Sequence, residues 1–427
     1  MHSAANLQFN DTGVAWIGDM PAHWKLKRLK FVATLSYGES LSSEKRTDGD
    51  ISVYGSNGPV GVHDTANTVG KTIIVGRKGS YGKINLSNKP VFAIDTTYFI
   101  DDRFTREDID WLYHLLCCLE LDSFSKDSAV PGLSREDAYE KICPVPPPSE
   151  QRAIVAFLNS ATSRIEALID DKRRFLQKLE EKRVAIITLA VTKGLTPGAP
   201  MRDSGIEWLG EIPAHWQLKK IKYTVSHVVD CLHTTPHYEG ELLYPAVRTA
   251  DLQRGKLLLD QVRLVSEDVY RERIVRLRPA EGDIIYSREG ERFGLAALVP
   301  KGVTLCLGQR MMMFRALPNM APAYLMWALN SEAIFEQVVL YTGGSTSPHV
   351  NIGDIINFHI TCPPRREQNE IAKYIETECL KIDILATEIQ AGVERLEEYR
   401  SALIRNAIAG KIDVFRFAKV VREEAAA

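Results

Sequence analysis

Residues 11–31 read DTGVAWIGDMPAHWKLKRLKF, and residues 203–223 read DSGIEWLGEIPAHWQLKKIKY. These two stretches, the first and second frames, are identical at 11 of 21 positions, and most other positions exchange close chemical relatives. Further on, Ser149-Glu150-Gln151 corresponds to Arg366-Glu367-Gln368, so the frames lie 192 residues apart and the triplets 217 apart. The middle segment is therefore 25 residues longer in the second half (217 minus 192). Two similar frames around two dissimilar middles predict one operation performed on two different targets.

The composition is typical of a soluble globular chain with two or more cores. Of the 427 residues, 45% are hydrophobic and 25% are charged. No apolar run approaches the roughly 20 residues of a membrane span, and the first residues lack a basic-then-apolar signal. Seven cysteines without a C-x-x-C pair favour reduced thiols, so we expect a cytoplasmic protein. The net charge of −2 means that any surface for nucleic acid must be local.

Both triplets open long helical patterns, and Ser149 is a plausible N-cap of the first one. Apolar residues recur every seven positions, which indicates coiled-coil seams. In the first helix the main row is Leu158, Ile165, Leu179 and Ile186, and the companion row is Ile154, Ala161, Leu168, Phe175 and Leu189. In the second helix the main row is Ile375, Ile382, Ile389, Leu396 and Leu403, flanked by Ile371, Leu385 and Tyr399.

Antiparallel pairing within the chain is the simplest way to bury both seams, although two chains could instead dimerise through them. Such pairing would set two globules at opposite ends of a rod, related by an approximate twofold rotation. They could then face a DNA duplex as a palindrome-reading dimer does, with two different half-sites.

The middle segments combine short apolar strands, Gly-rich turns and one clear helix each, which predicts α/β domains. The predicted strands include 72–75, 91–94 and 283–286. We therefore predict the following organisation: a first domain at 1–147, a first long helix at 148–195, a second domain at 196–365, a second long helix at 366–415 and a tail at 416–427.

Four features of the sequence give the chain a resemblance to a known family. These are the W-[IL]-G-x-[IM]-P-x-H-W frame, the P-x-x-E-Q helix opening, the repeated order itself, and the loops at 73–82 and 282–290. Over nearly its whole length the chain resembles the specificity subunit of a type I restriction-modification system. The resemblance implies two target-recognition domains, each reading half of a split DNA site, separated by the two long helices that the seams predict to pair as an antiparallel coiled coil.

The resemblance also implies the partners. Double-stranded DNA would bind the domains, methyltransferase (modification) subunits would dock on the helices, and a restriction/translocase subunit would join the assembly. We expect no cofactor on this chain; S-adenosylmethionine, ATP and Mg would belong to the partner subunits.

In the first domain, residues 65–94 contain no acidic residue and five basic ones, interleaved with glycines. Small residues let the backbone approach a groove, arginine can form a fork onto a guanine edge, and lysine can hold phosphate. The alternative is an exposed charged hairpin with no ligand. The candidate DNA contacts here are Tyr54, Ser56, Asn57, Arg77, Lys78, Ser80, Tyr81 and Lys83.

The second domain carries a related loop at 287–294, in which Arg288 corresponds to Arg77 and Glu289 replaces Lys78. Different donors and acceptors at matched positions would favour different bases. A further segment before each long helix, 128–134 and 345–351, could hold phosphate, although Ser134 and Asn351 resemble helix caps. The candidates here are Arg248, Thr249, Ser287, Arg288, Glu289, Arg292, Gln309, Arg310, Ser345 and Ser347.

We find no catalytic set and no metal site in the sequence. Cys231, His233 and His237 could suggest zinc, but Pro236 disrupts their spacing and no fourth ligand is near. Two rival interpretations remain: a stand-alone DNA-modifying or DNA-cutting enzyme, and a coiled-coil scaffold whose globules bind proteins.

Overall fold

The two frames lead into two units with the same strand order. The computed structural model describes residues 8–123, 132–289, 292–342 and 350–415. One unit contains the residues up to Lys172 and those from Ala391 onward, and the other contains Arg173–Gln390. Within the described ranges, no helix is both long and apolar enough to cross a membrane.

The elements that begin in the described part of the first unit are eleven strands and three α-helices. The strands are β1 (Phe9–Asp11), β2 (Asp19–Pro21), β3 (Lys25–Arg28), β4 (Ser36–Tyr37), β5 (Ile51–Gly55), β6 (Gly58–His63), β7 (Thr72–Gly76), β8 (Ile84–Ser87), β9 (Phe92–Ala93), β10 (Thr97–Ile100) and β11 (Ile142–Val145). The helices are α1 (Ile109–Cys118), α2 (Arg135–Tyr139) and α3 (Pro148–Lys193), of which α3 continues into the second unit.

The second unit adds thirteen strands and five helices among the described residues. The strands are β12 (Met201–Asp203), β13 (Glu211–Pro213), β14 (Gln217–Lys220), β15 (Val225–Asp230), β16 (Tyr244–Val247), β17 (Leu252–Gln253), β18 (Lys256–Leu257), β19 (Leu264–Val265), β20 (Ile284–Ser287), β21 (Ala296–Leu298), β22 (Cys306–Leu307), β23 (Met311–Ala316) and β24 (His359–Cys362). The helices are α4 (Glu267–Arg273), α5 (Pro322–Leu329), α6 (Glu332–Thr342), α7 (Ile352–Ile355) and α8 (Arg365–Ile408).

The two domains share one sheet topology. A four-stranded sheet has the order β4-β10-β7-β8 in the first domain and β15-β23-β20-β21 in the second. A three-stranded sheet has the order β6-β5-β9 in the first and β19-β16-β22 in the second, with one parallel pair in each. The predicted α/β fold with an internal repeat is confirmed. The hairpin β17-β18 and helix α4 are additions in the second domain, in agreement with its longer middle segment.

Each frame is closed by the strand that leads into a long helix. In the first domain β3 pairs with β11, so that Lys25 lies opposite Val145. In the second, β14 pairs with β24, and Gln217 lies opposite Cys362. Lys25 and Gln217 are 192 residues apart, and Val145 and Cys362 are 217 apart, the same offsets that separate the two repeated motifs. The two repeated parts are distant in sequence but are neighbours in each domain. Their strands pair where the variable middle segment begins and ends.

Glutamate and histidine side chains link each frame to its helix. The Glu150 carboxylate accepts a hydrogen bond from the Trp24 indole at 2.7 Å and lies 2.7 Å from His23 Nε2. In the second domain Glu367 accepts from the Trp216 indole at 3.0 Å. Its other oxygen lies 2.9 Å from His215 Nε2. The doubled tryptophans of the frames are thus largely packing elements, with Trp24 and Trp216 buried.

The seams of α3 and α8 follow alternating steps of three and four residues. In α3 the positions that are buried or half-buried at these steps are Leu158, Thr162, Ile165, Ile169, Lys172, Leu176, Leu179, Arg183, Ile186 and Ala190. In α8 they are Ile375, Cys379, Ile382, Ala386, Ile389, Val393, Leu396, Arg400, Leu403 and Ala407. Both main rows predicted from the sequence are confirmed.

The predicted companion rows are wrong over much of their length. Leu168, Phe175 and Leu189 of α3 are 51%, 47% and 58% exposed. Leu385 and Tyr399 of α8 are exposed as well. The true companion rows lie one residue further along the chain and include polar residues, which is why apolar spacing alone does not identify them.

The two helices run antiparallel in both units. In the first unit Ile165 and Ile169 cluster with Val393, and the Arg400 guanidinium lies 3.4 Å from Glu166. In the second unit Leu179 clusters with Ile382 and Ile389, and Arg183 forms an ion pair with Asp383. Adding 217 to Arg183 and subtracting 217 from Asp383 gives Arg400 and Glu166, so the interhelical ion pair is itself repeated.

A glycine in the left-handed region follows each long helix. α8 ends at Ile408 rather than at 415, because Gly410 has a φ of +77° and continues the chain away from the helix. A Cβ at Gly410 would lie 2.9 Å from the Trp24 ring, and one at Gly194 would lie 3.1 Å from the Trp216 ring. Both helix ends therefore require glycine for backbone conformation and for the close approach of a tryptophan.

We expect Ile389→Asp to lower the free energy of unfolding by several kcal/mol, on the order of 3–5, because it places an unpaired charge in the seam. Ile389 is 8% exposed and packs against Leu179 and Ile382. Chemical denaturation followed by circular dichroism measures the change. The control is Leu385→Asp, one turn earlier on the exposed side of the same helix. Equal unfolding midpoints for the two variants would contradict this assignment of the seam.

Candidate nucleic-acid interface

Three of the predicted contact segments of the first domain meet where β4 and β7 end and β10 begins. A Cβ at Gly76 would lie 3.0 Å from the Ser56 carbonyl oxygen, and one at Gly79 would lie 3.6 Å from Ser56 Oγ. Lys78 forms an isolated bridge with Gly132. The turn at 54–58, the loop at 76–83 and the residues before α2 therefore form one surface.

Arg77 packs against two aromatic rings in this surface. Its guanidinium carbon is 4.8 Å from the centre of the Tyr37 ring and 5.8 Å from that of Tyr98. Nη1 donates to the carbonyl oxygen of Asp95 at 3.2 Å. Burial raises the pKa of Tyr98 to about 12, so this phenol stays neutral beside the cation. Cation–π contact orients a guanidinium without neutralising it, which leaves the charge of Arg77 able to attract a ligand.

The other first-domain candidates surround Arg77. Lys83 Nζ donates to the side chain of Asn57 at 2.8 Å and to its carbonyl oxygen at 3.1 Å. Lys78 and Ser80 are exposed, whereas Tyr54 and Tyr81 are half-buried. Ser134 caps α2 by accepting from the backbone N–H of Asp137, as predicted. Residues 124–131, which include most of the predicted phosphate-binding segment, lie outside the described residues.

Arg288 occupies the position in the second domain that Arg77 has in the first. Arg77 directly follows β7, and Arg288 directly follows β20, the third strand in the order of the equivalent sheet. The backbone N–H of Arg77 donates to Thr96 O at 2.8 Å, and that of Arg288 donates to Arg310 O at 3.3 Å. The sequence correspondence between the two arginines therefore agrees with the strand register.

The residues around the two arginines differ. Tyr37 is the last residue of β4 and pairs with Tyr98, while Asp230 is the last residue of β15 and pairs with Met312. An aromatic ring in the first domain is thus replaced by a carboxylate in the second.

As a result, Arg288 belongs to a buried ionic network. Its side chain is 4% exposed, with Nε 3.1 Å from Asp230 Oδ1 and Nη2 3.0 Å from Glu289 Oε1. His233 Nε2 lies 3.0 Å from the other oxygen of Asp230. Contact of Arg288 with a base would require this network to open, so its predicted role in DNA binding remains a prediction. Ser287 is also fully buried.

Arg310 lies at the border of the same network. It immediately precedes β23 and has a φ of +65°, a region that residues with a Cβ rarely adopt. Such backbone strain, roughly 1–3 kcal/mol, is often found at ligand-binding positions. Its side chain is 56% exposed, with Nε 3.7 Å from Glu289 Oε2. The preceding Gln309 donates weakly to His233 O at 3.4 Å.

The remaining second-domain candidates are less concentrated. Arg248 is held by two hydrogen bonds to Asp251, at 2.9 and 3.0 Å, and Thr249 is half-buried beside it. Arg292 is exposed and donates to the carbonyl oxygens of Ala250 and Leu252. Ser345 and Ser347 lie outside the described residues.

Sequence reasoning missed the residues that hold the two arginines. Tyr37, which packs against Arg77, was not proposed, and neither was Arg135, whose guanidinium lies 4.9 Å from the same ring. Asp230 was not proposed, and His233 was considered only as a zinc ligand. Asp230 and Arg288 are 58 residues apart, and only the pairing of β15 and β20 with β23 brings them together. In the described ranges, no group of three or more His, Cys, Asp or Glu side chains is arranged to hold a metal ion.

The sequence pattern of one family, the type I restriction modification DNA specificity domain, matches residues 21–173 and 259–395. The chain belongs to this family. Its members are non-catalytic recognition subunits, and membership implies DNA and the components of a restriction-modification complex as partners. The matched ranges contain Arg77 and Tyr37 of the first domain and Arg288 and Arg310 of the second.

Two specificity subunits of Methanocaldococcus jannaschii illustrate the similarity. The chain is 23% identical to the type I restriction enzyme MjaVIII specificity subunit over 345 residues, covering 78% of this chain and 77% of that one. It is 21% identical to the MjaIX specificity subunit over 435 residues, covering 93% and 95%. A chain from a solved structure of a type I R-M system has the same fold, with a TM-score of 0.61, 16% identity and coverage of 92% and 99%.

In this specificity-domain protein, we expect Arg288→Ala to reduce the free energy of unfolding by about 3–5 kcal/mol, because Asp230 and Glu289 would lose a buried countercharge. Thermal or urea denaturation measures the effect. Arg271→Ala is the control, since Arg271 is 70% exposed and pairs only on the surface with Glu267. A loss below 1 kcal/mol for Arg288→Ala would show that the network is not stabilising.

Proposed function

We propose that this chain is the DNA sequence-recognition subunit of a type I restriction-modification complex and that each domain reads one half of a bipartite, asymmetric site. One observation carries the proposal. Two domains of the same topology present different side chains at the same register positions, with Tyr37 and Arg77 in one and Asp230 and Arg288 in the other. A common scaffold with different donors and acceptors at one sheet end would give two different half-site preferences.

The long helices are the proposed docking elements for methyltransferase subunits. Large apolar residues exposed on α3 and α8 support this, because exposed apolar surface often marks a protein–protein interaction site. They include Leu168, Phe175, Leu380, Ile384 and Tyr399. A restriction/translocase subunit would complete the assembly. S-adenosylmethionine, ATP and Mg would be bound by these partners and not by this chain.

A cytoplasmic location is part of the proposal. All seven cysteines carry free thiols. Burial raises the pKa of Cys143 and Cys306 to about 12, which keeps these thiols protonated and unreactive. Free, buried thiols are typical of proteins in a reducing compartment.

The isolated chain should bind DNA weakly and the complex with its methyltransferase partner much more tightly. Residues 24–142 carry 16 basic and 17 acidic side chains, and residues 216–361 carry 16 and 15, for net charges of −1 and +1. So little charge neutralises few phosphates, so the partner must supply the clamp. Titration of a labelled duplex with and without partner measures both affinities. Nanomolar binding by the isolated chain at about 0.15 M salt would refute this division of roles.

Arg77→Ala should cost roughly 1–3 kcal/mol of discrimination and relax selectivity in one half-site only. Arg77→Lys should relax it as well, because a point charge cannot reproduce the two-pronged geometry of arginine. Sequences selected from a random duplex pool by the chain with its partner provide the measurement. If Arg77 contacts phosphate instead, binding will weaken across all sequences and the preferred site will stay the same.

The same selection experiment tests the proposed function itself. A wild-type complex should enrich two short, unlike sequence elements separated by a spacer of constant length. The scaffold alternative predicts no enrichment and no binding to random duplexes. Cutting or methylation by the purified chain alone would favour the stand-alone enzyme.

A further inference from the structure

Arg288 and Arg310 of the second domain are joined by a backbone hydrogen bond. Their side chains differ in the hydrogen-bond donors that they can offer to a ligand. Arg288 is buried, and its Nε and Nη2 are engaged by Asp230 and Glu289. Arg310, whose carbonyl oxygen accepts the N–H of Arg288, is 56% exposed. An arginine reads guanine by directing two N–H donors to O6 and N7, which a guanidinium enclosed by two carboxylates cannot do.

The first domain shows the reverse arrangement at the same positions. Arg77 lies against the Tyr37 ring, which does not neutralise its charge as the carboxylates beside Arg288 do. The residue equivalent to Arg310 is Thr96. The exchange of Tyr37 for Asp230 explains the difference. A carboxylate in this place pairs with the arginine after the third strand and keeps it in the interior, whereas an aromatic ring supports it at the surface.

Glu289 provides the support that Arg310 would need. Its Oε1 lies 3.0 Å from Arg288 Nη2, and its Oε2 lies 3.7 Å from Arg310 Nε. A carboxylate near Nε restrains the guanidinium and leaves the four N–H donors of the two Nη atoms for a ligand. Glu289 thus connects a buried arginine to an exposed one, so the network can position Arg310.

We infer that Arg310, and not Arg288, is the base-reading arginine of the second domain, that it recognises a guanine, and that Arg288 and Glu289 are positioning residues. This inference rests on the proposed function, since it assumes that the second domain reads a half-site. The reading arginine has therefore moved from the residue after the third strand in the first domain to the residue before the adjacent strand in the second.

The test compares selected-sequence profiles for the full chain with its methyltransferase partner. Arg310→Gly removes the side chain and suits the φ of +65°, so the fold is retained. We expect it to reduce the preference for one guanine in one half-site roughly 10- to 100-fold and to leave the other half-site unchanged. Arg310→Lys should have the same effect, because it keeps the charge but loses the fork.

Two further variants separate positioning from reading. Glu289→Gln should weaken the same guanine preference less than Arg310→Gly does, with the rest of the profile retained. Arg77→Ala is the matched control, because it should change the opposite half-site. If Arg310→Gly keeps the wild-type profile, or if Arg310→Lys weakens binding to all sequences equally, the inference is overturned while the proposed function stands. A wild-type complex that selects no bipartite site overturns both.

Discussion

The fold depends on the contacts of a glutamate and a glutamine at the start of each long helix. Glu150 accepts from the frame through Trp24, and Gln151 accepts from the backbone N–H of Asp108, the N-cap of α1. Glu367 and Gln368 repeat these contacts with Trp216 and Ala321, the N-cap of α5. Frame, domain and long helix are thereby joined at one point in each half. Since these groups are half-buried or buried, loss of an acceptor would leave donors unpaired in the interior.

This junction leaves the middle segments free to diverge. Each middle begins and ends on paired strands that belong to the repeated part, β3 with β11 and β14 with β24. Changes within a middle therefore need to preserve only its own sheet order. The second middle contains an extra hairpin and the extra helix α4 and still has the same four-stranded order as the first. Differences such as Tyr37 against Asp230 can then alter the surface at the sheet end without altering the scaffold.

Much of this architecture could be predicted from the sequence, because duplication and seven-residue periodicity are properties of the chain itself. The companion rows of the seams were missed because the polar residues Thr162 and Arg183 occupy buried or half-buried positions in the true row of α3, while the apolar Leu168 is exposed. The candidate site was predicted less well. No residue close to Arg288 in the sequence indicates that its side chain is buried. The burial follows from the ion pair with Asp230, which only strand pairing brings next to Arg288. Local sequence patterns predict helices and strands, whereas the burial and pairing of a charged side chain depend on residues distant in sequence.

The polar residues of the helical seam connect the register of the two long helices to the second domain. Arg183 is largely buried, with its guanidinium shared between Asp383 of the opposite helix and Glu180 of its own. Glu180 also pairs with Arg254, which lies at the turn of the β17-β18 hairpin and donates to the backbone of Asn330. A sliding of α3 along α8 would separate Arg183 from Asp383 and leave buried charge unpaired, so the ion pair specifies register where apolar residues alone would tolerate a shift. Because Glu180 belongs to the same group of charges, the register of the helices and the seating of the second domain on α3 are set by one connected network.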